Sequence, residues 1–149
     1  RYAFISYWIR RVIDGLPLQV MGGTQGRDYT YIDDCVEAML LAAAAATDES
    51  ATYNLGGEPM SHLALADLLL DVAGGGTIEL TELPEERRAI DPGVIALDHA
   101  RITRALSWQP ATPLRAGLEA TVSYYRQHRD RYWNAVDVAA QQAGVLQAF

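Results

Sequence analysis

The residues best suited to chemistry lie in one run, Gly22-Gly23-Thr24-Gln25-Gly26-Arg27-Asp28-Tyr29-Thr30-Tyr31-Ile32-Asp33-Asp34. Its glycines let backbone approach a ligand closely, and Arg27 sets a permanent, forked cation beside the turn. Together they suit a diphosphate. Glycine-rich turns beside an arginine are common, so the run by itself describes an anion-holding turn and nothing narrower. All 12 basic residues are arginine, and the chain has no lysine. Any mechanism that needs a lysine proton relay, a Schiff base or a phosphate-loop lysine is therefore excluded from this chain. His62, His99 and His128 fall on separate elements, without the spacing of a metal site or a nucleophile triad. Cys35 sits in the first turn of an expected helix, where a helix N-terminus could lower a thiol pKa. Without a nearby histidine in sequence, core packing is the better reading of it.

Composition narrows the setting. At 149 residues and 50% hydrophobic, the chain has the material for one domain with its own core. One cysteine rules out an internal disulfide and fits a reducing, cytoplasmic compartment. No apolar run reaches membrane-spanning length, and the first apolar stretch lacks a signal-peptide layout. A net charge of −7 argues against nucleic acid as a partner. An acidic protein still binds an anion when a few arginines converge on one cleft.

The elements that position these residues follow from spacing. Phe4, Ile5, Trp8, Ile9, Val12 and Ile13 recur at helical intervals over Tyr2 to Ile13, and Gly15 with Pro17 stops that helix. Pro17 to Met21 reads as a short extended piece, either an edge strand over the core or a ledge beside the ligand. Arg27 to Ile32 is the next strand, with Tyr29 and Tyr31 on one face. Asp34 and Glu37 form a candidate capping box for a helix carrying Val36, Met39, Leu40 and an alanine run that allows close approach to a sheet. Asp48 to Ala51 is a polar turn, and Thr52 to Leu55 a strand ended by Gly56-Gly57. Ser61 caps a helix that Gly74-Gly75-Gly76 ends. That triple glycine follows a helix and has no GxGxxG spacing, so it is not a phosphate loop.

Thr77 to Leu83 alternates as a half-exposed strand, and Pro84 to Gly93 is a charged loop with local ion pairs. Val94 to Leu97 is an apolar extended run. Asp98 caps a helix over Ala100 to Leu106. Thr112-Pro113 opens another, with proline at its first position and a stripe of Leu114, Leu118, Val122 and Tyr125. Tyr124-Tyr125 and Tyr132-Trp133 read as packing residues. Asn134 to Phe149 has a weaker stripe, one further helix at most. The elements alternate as in an α/β protein.

The order of these signals resembles a family. Gly15-Leu16-Pro17-Leu18-Gln19-Val20-Met21-Gly22, Gln25 to Ala38, Tyr53-Asn54-Leu55-Gly56-Gly57, Arg88 with Asp91, and Asp98 leading to Leu106-Ser107-Trp108-Gln109-Pro110 are five blocks in sequence. They resemble the second half of the extended short-chain dehydrogenases, the NAD-dependent sugar-nucleotide epimerases and dehydratases, over roughly residues 4 to 128. The resemblance implies the C-terminal part of an extended short-chain dehydrogenase fold. Short strands and helices of a substrate domain would join one or two elements that complete a Rossmann sheet. Residues 1–132 would form the nucleotide-sugar-binding portion and residues 133–149 a tail, with the N-terminal NAD-binding portion absent.

What the resemblance implies for function is specific. Arg27 matches an arginine on the nucleotide diphosphate, Arg88 a second arginine on the phosphates, and Asp91 an acid that accepts from ribose hydroxyls. Leu18, Val20 and Met21 belong to the segment lying over the base. Where many relatives carry an aromatic, Met21 offers an apolar thioether contact instead of stacking. The turn from Gly22 to Gly26 is shorter than the usual GDG form. Asp33 and Asp34 match structural acids at the helix start. The parent enzyme would use NAD(P), which carries the redox chemistry, while this part binds and orients the sugar. Neither the GxxGxxG turn nor the Tyr-x-x-x-Lys pair occurs here, so the expectation is no catalytic, cofactor-binding or metal residue and no catalysis by this chain alone. The alternative is a non-catalytic nucleotide-sugar-binding or self-associating domain. In the intact fold the Asp34 helix and the Tyr53 strand would pack on the cofactor half. Without it, exposed apolar faces would drive a homo-oligomer.

Overall fold

The computed structural model describes residues 4–45 and 51–132. The turn expected at Asp48 to Ala51 falls mostly outside these residues, and the tail expected at 133–149 lies wholly outside them. The elements run α1 (Phe4–Ile13), β1 (Leu18–Met21), β2 (Gly26–Tyr29), α2 (Ile32–Ala44), β3 (Glu58–Ser61), α3 (His62–Ala73), β4 (Ile78–Thr81), α4 (Glu85–Arg88), α5 (Ala100–Leu106), α6 (Leu114–Gln127) and α7 (Arg129–Tyr132). The mix of helices and short strands is the expected α/β class.

Two separate two-stranded ladders organise the described chain. β1 pairs parallel with β4, placing Leu18 opposite Ile78 and Met21 opposite Thr81. β2 pairs antiparallel with β3, placing Gly26 opposite Ser61 and Tyr29 opposite Glu58. The main core gathers α1, α3, α6 and β1 around Trp8, Ile9, Leu18, Val20, Leu65 and Leu69. α1 is fixed to β1 by its aromatics, since Trp8 Nε1 donates to the Gln19 carbonyl at 3.0 Å and the Tyr7 hydroxyl donates to Gln19 Oε1 at 3.1 Å. Ser61 caps α3 by accepting from the Ala64 N–H at 3.2 Å, and Gly74 ends it at φ 92°.

Several boundaries differ from the sequence reading. Residues 51–57 run without a ladder, and the strand of this region is β3, six residues later. Gly57 explains the offset. A Cβ there would lie 1.9 Å from the Tyr29 carbonyl oxygen, so this glycine lets the chain pass close against β2 just before pairing begins. β2 stops at Tyr29 and α2 begins at Ile32, with Tyr31 as its N-cap. Asp34 is therefore not a cap. Similarly, Pro113 stands at the N-cap position of α6 rather than at its first helical residue. The loop expected from Pro84 contains the single turn of α4. The N-cap of α5 is His99 rather than Asp98, which stands one residue earlier with its Oδ1 accepting from the Ala100 N–H at 2.7 Å.

Asp34 instead holds a second, smaller core. Its carboxylate accepts from the Thr112 N–H at 3.0 Å and the Thr112 hydroxyl at 3.1 Å, and its backbone carbonyl accepts from Trp108 Nε1 at 2.9 Å. Trp108 packs there with Ala38 and Ile102, and Tyr53 and Leu55 lean on them. Val36, Met39 and Leu40 do not pack on a sheet; with Ile32 they form an exposed strip along α2. Replacing a buried acceptor that serves two donors leaves both unpaired. Asp34→Ala should therefore lower stability by about 1–3 kcal/mol, read as a drop in the urea midpoint at unchanged slope. Asp34→Asn should lose less, because its amide oxygen still accepts.

Candidate functional site

The site is built where the two ladders meet. Gly22 and Gly23 turn the chain out of β1 at φ 74° and 89°, left-handed values that a side chain would strain. The turn is pinned on three sides: the Gly22 N–H donates to the Thr81 carbonyl at 2.8 Å, the Leu63 N–H to the Gly23 carbonyl at 3.0 Å, and the His62 N–H to the Gln25 carbonyl at 2.8 Å. Gln25 is buried under the turn, and a Cβ on Gly22 would come within 2.8 Å of its amide nitrogen. The N-terminus of α3 is thereby tied to the turn that carries Arg27.

Arg27 Nη1 donates to the carbonyls of Gly26 at 2.6 Å and Gly93 at 2.7 Å. Those are its hydrogen bonds among the described residues. Of the five donors a guanidinium carries, the N–H groups on Nε and Nη2 stay available to a ligand. Asp91 is anchored at the same place, its Oδ1 accepting from the Gly93 N–H at 2.6 Å. Arg88 reaches back to the Leu83 carbonyl at 3.3 Å. The segment after β4 thus folds over the ladder ends and closes a cleft.

The cleft has two lobes. The larger, about 580 Å³, is lined by Gly22, Thr24, Thr81, Arg88, Asp91 and Gly93 among others. The smaller, about 280 Å³, brings Arg27, Arg87, Asp91, Met21 and His62 together with the rings of Phe4 and Trp8. Gln25, Leu83 and Asp91 border both lobes. Three guanidinium groups thus converge on one opening of an acidic chain, which focuses positive potential where an anion would enter.

Of the residues singled out in the sequence, Arg27, Arg88, Asp91 and Met21 line this cleft. Leu18 and Val20 do not: both side chains are fully buried in the main core. The strand alternates, so Gln19 and Met21 are the residues that β1 turns to the cleft. β1 is thus both a core strand and a ledge, one role per face. Sequence reasoning missed Gln19, Gln25, Arg87 and His62. For His62 a signal existed in the register, since the residue after Ser61 must fall beside the turn once Ser61 pairs with Gly26.

Electrostatics differ among the titratable groups. Burial, aided by Arg27 and opposed by Asp91, holds the His62 imidazole below its ordinary 6.5. Burial pushes the Tyr29 phenol up to about 12, against the pull of Arg27. Burial, with Asp34 beside it, raises the Cys35 thiol, the opposite of an activated nucleophile. His62 Nε2, the Tyr29 hydroxyl and Gln25 Oε1 are buried without a hydrogen-bond partner among the described residues.

The arrangement can grip an anionic, hydroxyl-bearing ligand. Among the described residues, the Gly22–Gly23 turn leads into a strand rather than into a helix N-terminus.

Comparison with known proteins agrees with this geometry. Residues 1–56 match the NAD dependent epimerase/dehydratase family. Over 133 residues the chain is 34% identical to a dTDP-glucose 4,6-dehydratase of Streptomyces griseus, covering 87% of this chain and 39% of that protein. It is 31% identical to UDP-glucuronic acid decarboxylase 1 of Xenopus tropicalis, covering 87% of this chain and 30% of that protein. Among solved structures, UDP-glucuronic acid 4-epimerase from Bacillus cereus in complex with NAD superimposes with a TM-score of 0.70 at 28% identity, over 85% of this chain and 39% of that one. The fold is a part of the extended short-chain dehydrogenase architecture. The chain belongs to the NAD-dependent epimerase/dehydratase family and spans well under half the length of these relatives.

The depressed imidazole has a consequence for stability. In the unfolded chain His62 takes its proton near 6.5, whereas in the fold it does so only at lower pH. The unfolded state therefore binds the extra proton first, and stability falls as pH drops from the unfolded value to the folded one. Above that window the full stability is present. Urea midpoints should decline as pH falls through about 6.5 in the native sequence, and less steeply in His62→Asn.

Proposed function

We propose that this chain is the substrate-holding portion of an NAD-dependent nucleotide-sugar epimerase or dehydratase. The observation that carries the reading is the joint anchoring of Arg27 and Asp91 on Gly93 at the mouth of a cleft that also receives Arg88. Arg27 and Arg88 grip the diphosphate, a role that forked guanidinium donors serve well. Asp91 accepts from ribose hydroxyls, and Met21 with Gln19 covers the base. Leu18 and Val20 contribute by holding that ledge from inside the core.

The parent reaction requires NAD(P), which supplies transient oxidation of a sugar carbon and return of the hydride. This chain has no lysine, and the reading assigns the cofactor and the catalytic residues to another portion of the parent enzyme. The residues described here would fix the nucleotide far from the reacting carbon and use its binding energy to orient the sugar. Arg27→Ala should weaken UDP-glucose or dTDP-glucose binding by about 1.5–3 kcal/mol, measured by calorimetry. Unchanged affinity would remove Arg27 from this role.

A second reading, a self-associating domain, draws on a different observation. Ile32, Met39 and Leu40 stand 62%, 65% and 66% exposed on α2. In the intact enzyme this strip would be covered by the cofactor-binding portion. In the chain alone it would cover itself in a dimer. Light scattering should give a dimer that Leu40→Glu converts to monomer. A monomeric native chain at high concentration would sink the self-association.

A further inference from the structure

His62 is a cleft residue with a titratable side chain that the reading above leaves without a task. Its ring lies against Phe4 at 4.9 Å between centroids and meets Trp8 edge-on at 6.3 Å, so α1 fixes its plane. Its backbone N–H is committed to Gln25. Nε2 is buried with no hydrogen-bond partner among the described residues, and His62 lines the same lobe as Arg27 and Asp91. A buried, orphaned ring nitrogen costs stability unless something outside the fold completes its bonding. The nearest such thing is the ligand.

We propose that His62 Nε2 bonds the diphosphate of the bound nucleotide sugar, and that the imidazole takes up one proton as that ligand binds. The inference rests on the nucleotide-sugar reading of the cleft. The charges facing His62 are Arg27 from β2 and Arg87 and Asp91 from the segment after β4, while α1 and β1 present Phe4, Trp8, Gln19 and Met21. In the free protein Arg27 opposes a second positive charge at this point. A diphosphate reverses that balance. It neutralises Arg27, places anionic oxygens beside the ring and makes the imidazolium a charge-assisted donor. Binding and protonation then strengthen each other, since linkage between two ligands is reciprocal. A nucleoside diphosphate sugar has no terminal phosphate monoester, the group that would itself titrate near pH 6. Any proton taken up in that range therefore belongs to the protein.

The test is calorimetric titration of the full chain with UDP-glucose, between about pH 8 and pH 5.5, in buffers of differing ionisation enthalpy. The proposal expects affinity to rise toward acid, by at most about tenfold per pH unit for one proton. Up to one proton should be taken up per ligand near neutrality. His62→Asn, which does not titrate, should bind with an affinity that no longer rises toward acid and should take up no proton. His62→Gln provides a second non-titrating variant should the shorter side chain disturb the fold. Binding that depends on Arg27 but carries no His62-dependent proton uptake would overturn this proposal and leave the nucleotide-sugar reading standing. Absence of UDP-glucose and dTDP-glucose binding at every pH would overturn both.

Discussion

The Gly93 carbonyl accepts from the Gly26 N–H at 3.2 Å and from Arg27 Nη1 at 2.7 Å, while the Gly93 N–H donates to Asp91. The bond from Arg27 joins residues 66 positions apart in the chain. Without these bonds, the segment after β4 would lie free and Arg27 would lose the contact that aims its guanidinium. The Ile95 N–H reinforces the junction by donating to the Gly26 carbonyl at 2.9 Å, and the Leu97 N–H by donating to Asp28 at 2.9 Å. Each bond is worth only about 1 kcal/mol net. Their effect comes from fixing one geometry for a cation, an acid and a cleft wall together. Preformed sites spare a ligand the cost of ordering them.

That geometry also resolves an apparent contradiction in charge. A chain at −7 should repel polyanions, yet the cleft concentrates Arg27, Arg87 and Arg88. Long-range repulsion fades over about 8 Å at physiological ionic strength. Contacts inside a partly buried cleft are screened far less. A small anion that reaches the opening thus experiences the local guanidinium groups, while an extended polyanion meets the acidic surface as well. Using arginine alone strengthens the effect, because a guanidinium stays charged on burial and holds phosphate oxygens with a planar fork.

Much of this was legible in the sequence because it depended on local chemistry. Ser61 could be read as a cap from its type and from the apolar run behind it, and Gly74 as a terminator. Arg27 stood out because a forked cation beside a glycine-rich turn suits an anion, and the order of the blocks around it narrowed that reading. What stayed hidden depended on pairing. Thr52 to Leu55 has strand composition, but strand character needs a partner, and no ladder reaches it among the described residues. Asp34 followed by Glu37 has the pattern of a capping box, yet a carboxylate that finds Thr112, distant in sequence, makes better bonds than a helix end provides. Leu18 and Val20 look identical to Met21 in hydropathy. Only the core on one side of β1 distinguishes them, and His62 became visible only through the register of β2 with β3.

The two cores are joined in a way that matters for how a clamp could serve a larger enzyme. β2 carries Arg27 and passes into α2 through Thr30 and Tyr31 alone, and Tyr31 packs so near α6 that a Cβ on Gly117 would come within 3.0 Å of its ring. α2 is held in turn by Asp34 through Thr112 and Trp108. A surface resting on the exposed strip of α2 would therefore sit on the element that continues directly from the arginine. Only Thr30 and Tyr31 separate the two elements, and Tyr31 lies close against α6. Packed cores move between discrete arrangements rather than deforming smoothly. The position of Arg27 and the position of whatever covers α2 are consequently linked through one short connection, an arrangement suited to the proposed role of orienting a sugar against a separate reactive group.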